Sequence, residues 1–101
     1  MEREELLWLL ESYETEVNWL PDRVNPYGEM ENILDGRDIL EDNRASLSGA
    51  EVARLEEADQ ILKEHAQAVY DLLGRGPKEY RERNNVPRSR WWWYIDELVS
   101  T

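Results

Sequence analysis

The feature that most constrains the fold is a strong helix-start signal followed by a long helical repeat. Ser48 and Glu51 have the spacing of a capping box, in which each side chain accepts a hydrogen bond from the other residue's backbone amide. Leu47 and Val52 flank this pair at the positions of a hydrophobic staple. Apolar side chains then recur at intervals of three and four residues, so we predict one continuous helix over residues 49–73.

The same periodicity predicts shorter helices elsewhere, with turn residues between them. In the first helix, the apolar stripe consists of Leu6, Leu10, Tyr13, Val17 and Leu20. Pro21 ends that helix, Gly36 interrupts the second, and Gly74 stands at the C-cap of the third. The predicted helices cover residues 3–20, 28–43, 77–84 and 88–99, and a turn-rich connection covers 21–28.

The chain lacks the patterns that favour other fold classes. No stretch of five or more residues alternates cleanly between apolar and polar side chains, and no apolar run approaches the roughly 18 residues of a membrane span. A chain of 101 residues has the length of one compact domain. We therefore predict a single all-α domain over residues 1–101, an up-and-down bundle of three main helices with one or two short additional helices.

The segment RWWWYIDEL at residues 90–98 places four adjacent aromatic rings on a predicted helix. Successive helical side chains point about 100° apart, so these rings cannot all face one core. On a helical wheel, Trp92 and Ile95 lie within about 100° of Trp91, whereas Trp93 lies about 200° away. We therefore expect Trp93 to be exposed.

A second aromatic stripe is predicted on the first helix, opposite its apolar face. Trp8 and Trp19 lie about 200° and 220° from the start of the apolar stripe, and Ser12 and Thr15 fall between them. Clusters of exposed aromatic residues are typical of protein interfaces. These four residues, together with Trp93, are therefore candidate partner-binding residues.

Two explanations of the outward tryptophans stay open at this point. Either other parts of the chain cover them, including the connection at 21–28, or a second molecule covers them. That second molecule is either another copy, which gives a homodimer, or a different protein partner.

Acidic residues dominate the charge of the chain, with twenty-three acids, twelve bases and a net charge of −11. This charge repels nucleic-acid phosphates and anionic membranes, so we expect direct binding to neither. The segment 75–90 is the exception, because it holds six basic residues against two glutamates. Arg88 and Arg90 in this segment are further candidate partner-binding residues. Alternatively, its arginines pair with acids of the first and third helices or stack on tryptophan rings.

No residue pattern points to catalysis or to a bound metal or cofactor. The chain has no cysteine, and the helical neighbours of its one histidine, His65, are apolar rather than metal ligands. The glycines of GRGPK follow a helix, whereas those of a phosphate-binding loop follow a strand. We therefore predict no catalytic residues, no metal site, no cofactor and no enzymatic activity. The absence of cysteine and the acidic N-terminus favour a cytoplasmic protein.

The exposed aromatics and the charge together predict a small acidic helical module for protein interaction or regulation. We expect it to form a homodimer or to bind another protein. The alternative prediction is an acidic mimic of nucleic acid that inhibits a nuclease, a toxin or a DNA-binding protein. Only the net charge supports that alternative.

Overall fold

The computed structural model describes residues 2–20 and 30–99 and shows an all-α protein. Within these residues there are six α-helices and no β-strand, so the predicted fold class is confirmed. The helices are α1 (Arg3–Val17), α2 (Met30–Asp42), α3 (Gly49–Glu64), α4 (Ala66–Leu73), α5 (Gly76–Asn84) and α6 (Ile95–Leu98). Short 3₁₀ turns lie at Arg44–Ser46 and Trp91–Trp93. The connection predicted at 21–28 lies outside the described residues, and the up-and-down order of three main helices stays a prediction.

The first two helices form where the sequence predicts them, with two differences in detail. The predicted stripe of α1 is buried, and its residues are Leu6, Leu10, Tyr13, Val17 and Leu20. α1 itself ends at Val17, because the backbone forms a turn at residues 18–20. α2 continues through Gly36, so the interruption expected at that glycine does not occur. α1 packs against α2 and α3, and this contact forms one side of the core.

The helix-start signal of α3 has the geometry that its sequence predicts. The Ser48 hydroxyl accepts a hydrogen bond from the Glu51 amide at 3.2 Å, and the Glu51 carboxylate accepts one from the Ser48 amide at 2.8 Å. Leu47 is buried, and Val52 packs against the same core. A cap of this kind contributes about 1 kcal/mol and fixes the residue at which the helix begins.

The prediction of one continuous helix over residues 49–73 is wrong, because the chain breaks at His65. His65 adopts φ −110° and ψ 28° between α3 and α4, although neither glycine nor proline occupies the position. Beyond the break, α4 packs against α6 and α2 and buries Ala66 and Val69. Tertiary packing therefore overrides the local helical preference. Gly74 is the C-cap of α4, as predicted, and its φ of 57° is positive. Its ψ of −127° lies outside the left-handed helical region that the predicted C-cap would adopt.

The single helix predicted over residues 88–99 is also wrong. The chain forms a 3₁₀ turn at Trp91–Trp93, and the four-residue α6 begins only after Tyr94. Tyr94 has φ −115° and ψ 34°, which lies outside the α-helical range. This break places two adjacent tryptophans, Trp92 and Trp93, in the core at 1% and 2% exposure.

A buried ionic network joins the first three helices. Arg37 of α2 is 2% exposed and donates two hydrogen bonds to the Asp59 carboxylate of α3, at 2.9 and 2.8 Å. Tyr13 of α1 donates its hydroxyl to the same carboxylate at 2.5 Å. Burial raises the pKa of the Tyr13 hydroxyl, and the negative charge of Asp59 raises it further, so the hydroxyl stays protonated and continues to donate. Arg37 also pairs with Glu41 at 3.1 Å, so removal of Arg37 would leave the buried Asp59 carboxylate without a cation, whereas removal of Asp59 would leave Arg37 with Glu41 as its remaining carboxylate.

Candidate interaction surface

Trp8 is the most exposed large apolar side chain among the described residues. It is 65% exposed, compared with 37% for both Leu72 and Leu98. Trp8 lies on α1 and lines two surface grooves between α1 and α2. We call Trp8 and these two grooves the Trp8 face.

The two grooves have similar volumes and different linings. The first groove has a volume of about 440 Å³ and the second about 410 Å³, both within the range of pockets that take up ligands. The first is mixed in polarity, and its lining includes Trp8, Leu9, Ser12, Thr15, Ile33 and Gly36. The second is apolar apart from two carboxylates, and its lining is Glu4, Glu5, Trp8, Leu9 and Ile39.

Gly36 leaves room in the first groove that a larger residue would fill. A Cβ atom added at Gly36 would lie 3.5 Å from the Leu9 Cδ2 atom, which is an ordinary van der Waals contact. Alanine would therefore fit at this position without strain. Glycine in a helix interior costs about 1 kcal/mol relative to alanine, so the groove is kept open at the expense of helix stability.

Carboxylates surround the Trp8 face. Glu4 and Glu5 line the second groove and Glu16 lines the first, and no described lysine or arginine lines either one. Over their full lengths, α1 and α2 carry ten acidic residues and two arginines, Arg3 and Arg37. Both arginines form ion pairs with carboxylates of α3. Four of the ten acids, Glu14, Asp38, Glu41 and Asp42, also pair with arginines. The Trp8 face is nevertheless negative, because the described charged side chains that line its grooves are all carboxylates.

The structure brings together only part of the stripe predicted on α1. Ser12 is half-buried and Thr15 is exposed, and both line the first groove beside Trp8. Trp19 is half-buried in the turn beyond the end of α1 and lines neither groove. The prediction of one stripe that includes Trp19 assumed a helix up to residue 20, and the earlier helix end moves Trp19 out of line.

Sequence reasoning missed most of the residues that line the Trp8 face, among them Leu9, Gly36 and Ile39. These residues share a position at the contact between α1 and α2, so their role depends on how the two helices pack. The one available signal is the position of Leu9 directly after the outward Trp8, which widens the apolar surface of α1 beyond the buried stripe.

The predicted exposure of Trp93 is wrong, since Trp93 is among the largest fully buried side chains of the described residues. Its ring stacks on Tyr80 of α5 with 3.9 Å between the ring centroids. The prediction assumed a continuous helix, in which Trp92 and Trp93 point about 100° apart. The 3₁₀ turn removes that constraint, and both rings enter the core.

Both buried indoles donate to one carboxylate, that of Asp38 on α2. The Nε1 atom of Trp92 lies 2.8 Å from Asp38 Oδ1, and the Nε1 atom of Trp93 lies 2.9 Å from the same oxygen. Arg90 forms an ion pair with this carboxylate at 3.0 Å. We call these four residues the indole cluster. The Arg37 guanidinium lies 4.1 Å from the centroid of the Trp92 ring, so the cluster adjoins the buried ionic network.

Arg88 and Arg90, which the sequence marks as partner-binding candidates, are engaged within the chain. Arg88 pairs with Glu97 at 2.6 Å, although its side chain is 75% exposed. Arg90 pairs with Asp38 and Asp42, both on α2. Neither guanidinium lines either groove of the Trp8 face.

Arg81 is a third arginine of this basic segment that the chain itself satisfies. Its guanidinium pairs with Asp96, donates to the Trp93 carbonyl oxygen at 3.1 Å and lies 4.4 Å from the centroid of the Tyr94 ring. The hydrogen bond from Arg81 holds the pKa of Asp96 below its ordinary value. Arg81, Arg88 and Arg90 therefore pair within the chain, which is one of the two alternatives predicted for this segment. The acids that they contact lie on α2 and in the C-terminal segment, whereas the prediction named the first and third helices. The ring beside Arg81 belongs to a tyrosine rather than to a tryptophan.

A third cavity lies between α2 and residues 87–92, with a volume of about 510 Å³. Its lining includes three arginines, Arg37, Arg44 and Arg90, and each of them forms an ion pair with a carboxylate. It therefore presents no unpaired guanidinium from these residues to an anionic ligand.

Within residues 2–20 and 30–99, no group of three or more histidines and carboxylates is placed to hold a metal ion. In the same ranges, every helix is too short or too polar to cross a membrane.

No protein-family model matches this chain, and comparisons with curated proteins and with solved structures find no significant similarity. The functional interpretation therefore depends on the geometry and charge of this chain alone.

Proposed function

We propose that this protein is a small acidic protein-interaction module without catalytic activity, and that its Trp8 face binds the partner. One observation carries the proposal. Trp8 is 65% exposed between two grooves, in a chain that buries two other tryptophans to 2% exposure or less.

The exposed area of Trp8 is large enough to matter energetically. A tryptophan buries up to about 250 Å² when fully covered, so covering the remaining two-thirds of Trp8 would contribute up to roughly 4 kcal/mol at about 25 cal/mol per Å². Tryptophan is also enriched among the residues that dominate binding energy at interfaces. Exposed apolar residues that occur singly are common, but this one is accompanied by two grooves, and grooves can receive side chains from a partner.

A selection experiment tests the proposal without assuming what the partner is. A phage-displayed library of random peptides of about 16 residues, roughly 24 Å long as helices, is selected in parallel on the wild type and on Trp8→Ala. We expect peptide families that are enriched on the wild type alone. Leu72→Ala is the matched control, because it removes an exposed apolar side chain from α4 and leaves the Trp8 face intact. Equal enrichment on the wild type and on Trp8→Ala would contradict the proposal.

A homodimer is one way to cover the Trp8 face, and it stays a prediction. Sedimentation equilibrium of the wild type at high micromolar concentration tests it directly. A dimer that Trp8→Ala dissociates would support self-association through this face. A monomer at every concentration would exclude the homodimer and leave binding of a different protein untouched.

Acidic mimicry of nucleic acid also stays a prediction. The acidic residues of α1 and α2 support it through their charge, but mimicry gives no role to an exposed tryptophan beside an apolar groove. Binding to a basic, nucleic-acid-binding cleft should therefore survive Trp8→Ala, whereas binding through the Trp8 face should not.

A further inference from the structure

The Trp8 face combines an apolar groove with two negative charges that no described residue neutralises. Glu4 and Glu5 are exposed and line the groove beside Trp8, and neither forms an ion pair with any described residue. Both lie in the first turn of α1, where the helix dipole stabilises a negative charge. A partner that carries basic groups next to apolar anchors would complement this face in charge and in polarity.

A second copy of this chain fits the Trp8 face poorly in a symmetrical dimer. In such an interface the same patch meets itself, so the carboxylates that line the face of one copy would approach those of the other. Facing like charges disfavour association and suppress a partner of the same sign. An unsymmetrical contact, in which a basic surface of one copy meets the Trp8 face of the next, would produce a ring of copies or an open chain rather than a symmetrical dimer.

The dimensions of the face suit a helix. Its lining residues extend along α1 from Glu4 to Glu16, which corresponds to about 18 Å at 1.5 Å per residue, or a partner helix of about 12 residues. An amphipathic helix presents apolar side chains at positions i, i+3 or i+4, and i+7, which suits insertion on both sides of Trp8. Its polar positions beside those anchors would face the carboxylates of the rim.

From these observations we infer that the Trp8 face docks a basic amphipathic helix of a different protein, with apolar anchors in the two grooves and lysine or arginine facing Glu4 and Glu5. The inference rests on the proposed function and names the chemistry of its partner.

The probe is a synthetic amphipathic peptide of about 14 residues with leucine on one helical face and lysine on the other. A second peptide replaces each lysine with glutamate, and a third keeps the first composition in an order without an apolar face. Isothermal titration calorimetry should show micromolar binding of the lysine peptide to the wild type and at least roughly 10-fold weaker binding of both other peptides. Raising the salt concentration from about 50 to 500 mM should weaken binding of the lysine peptide, because salt screens surface charges.

Protein variants separate the apolar contribution from the charge contribution. Trp8→Ala should weaken binding of the lysine peptide at least roughly 10-fold, and the double variant Glu4→Gln, Glu5→Gln should weaken it roughly 3-fold or more. The matched control is Glu79→Gln, Glu82→Gln on α5, which changes the net charge equally and lies outside both grooves. This control should change the affinity less than about 2-fold. Circular dichroism melting curves establish that each variant is folded.

Several results would overturn the inference, and they differ in what they imply for the proposed function. Equal weakening by the two double variants would mean general charge attraction rather than docking. Trp8-dependent binding of the glutamate peptide, or a Trp8-dependent dimer that salt strengthens, would reject a basic partner and retain the proposed function. Binding of the lysine peptide only after residues 22–28 are replaced by glycine and serine would point to an occupant from the chain itself. Absence of any Trp8-dependent binding, here and in the peptide selection, would reject the proposed function as well.

Discussion

Trp8 on α1 and the tryptophan pair of the indole cluster show the same side chain in opposite surroundings. Trp92 and Trp93 are buried, and the chain supplies a hydrogen-bond acceptor, Asp38, for both indole N–H groups. Arg37 and Tyr80 cover the two rings. Trp8 is 65% exposed and has no hydrogen-bond acceptor among the described residues.

The two surroundings differ in polar partners as well as in apolar cover. A buried indole must donate its N–H group, because an unsatisfied buried donor costs about 1–3 kcal/mol. Asp38 accepts hydrogen bonds from both indole N–H groups of the indole cluster. The indole N–H group of Trp8 has no acceptor among the described residues and is free to donate to water. A partner that covers Trp8 must therefore bring an acceptor or leave the indole N–H at the edge of the interface.

The largest expected difference between the two regions is in stability. Trp93→Ala should lower the free energy of unfolding by roughly 3–5 kcal/mol, because it leaves a large cavity and removes the stacking partner of Tyr80. Trp8→Ala should change it by no more than about 0.5 kcal/mol, since the side chain is mostly exposed. Urea denaturation followed by far-ultraviolet circular dichroism measures both. Similar losses in the two variants would mean that Trp8 is covered in solution.

The next largest effect concerns the shared acceptor. Asp38→Ala should lower the free energy of unfolding by roughly 2–4 kcal/mol, because two buried indole N–H groups lose their partner. Asp42→Ala is the control, since Asp42 pairs with the same Arg90 but is 60% exposed, and it should cost at most about 1 kcal/mol. Equal costs in urea denaturation would show that water replaces Asp38 at the indoles.

A smaller effect concerns the ion pair between Arg81 of α5 and Asp96 of α6, which joins the C-terminal segment to α5 beside Trp93. Because Arg81 lowers the pKa of Asp96 in the folded state, this pair stabilises the fold at pH values above the unfolded pKa of about 4 and ceases to do so as the pH falls through the folded pKa. The stability difference between the wild type and Asp96→Asn should therefore be constant above about pH 5 and shrink below about pH 4. Arg81→Gln should abolish this pH-dependent part, and urea midpoints from pH 3 to 7 measure it. A difference that stays constant at all these pH values would contradict the assignment.

The smallest effect belongs to the Trp8 face and has the opposite sign. Gly36→Ala should raise the free energy of unfolding by roughly 0.5–1 kcal/mol, because alanine favours the helix and its Cβ atom meets Leu9 at a normal distance. The substitution should also weaken partner binding, since it narrows the first groove. Thermal melts and the peptide titration measure these two effects. A loss of stability would mean that α1 and α2 need a closer approach at this position.

Those features that depend on local sequence could be predicted, and those that depend on packing between distant segments could not. The cap at Ser48, the buried stripe of α1 and the outward position of Trp8 follow from spacing within one regular helix. The break at His65 has no local signal, and it follows from the packing of α4 on α6 and α2. The burial of Trp93 likewise depends on Asp38 and Tyr80, which are far away in the sequence.

The residues of the candidate surface also differ in whether the sequence alone could identify them. Trp8, Ser12 and Thr15 could be identified because α1 is regular, and Trp19 was misplaced because the helix ends three residues before the predicted end. Leu9, Gly36 and Ile39 acquire their role only when α2 lies beside α1. Their contribution to the grooves therefore becomes visible only in three dimensions.

The hydrogen bonds from Trp92 and Trp93 to Asp38 span 54 and 55 residues of the chain. A ribosome adds the residues of α1 to α5 before it adds either tryptophan, so a nascent chain at that stage lacks both indoles that pair with Asp38 and the ring that covers Arg37. Its largest buried side chains are still missing, and the partly made core must expose apolar surface. The native core of this protein therefore forms only once the chain has been translated as far as Trp93.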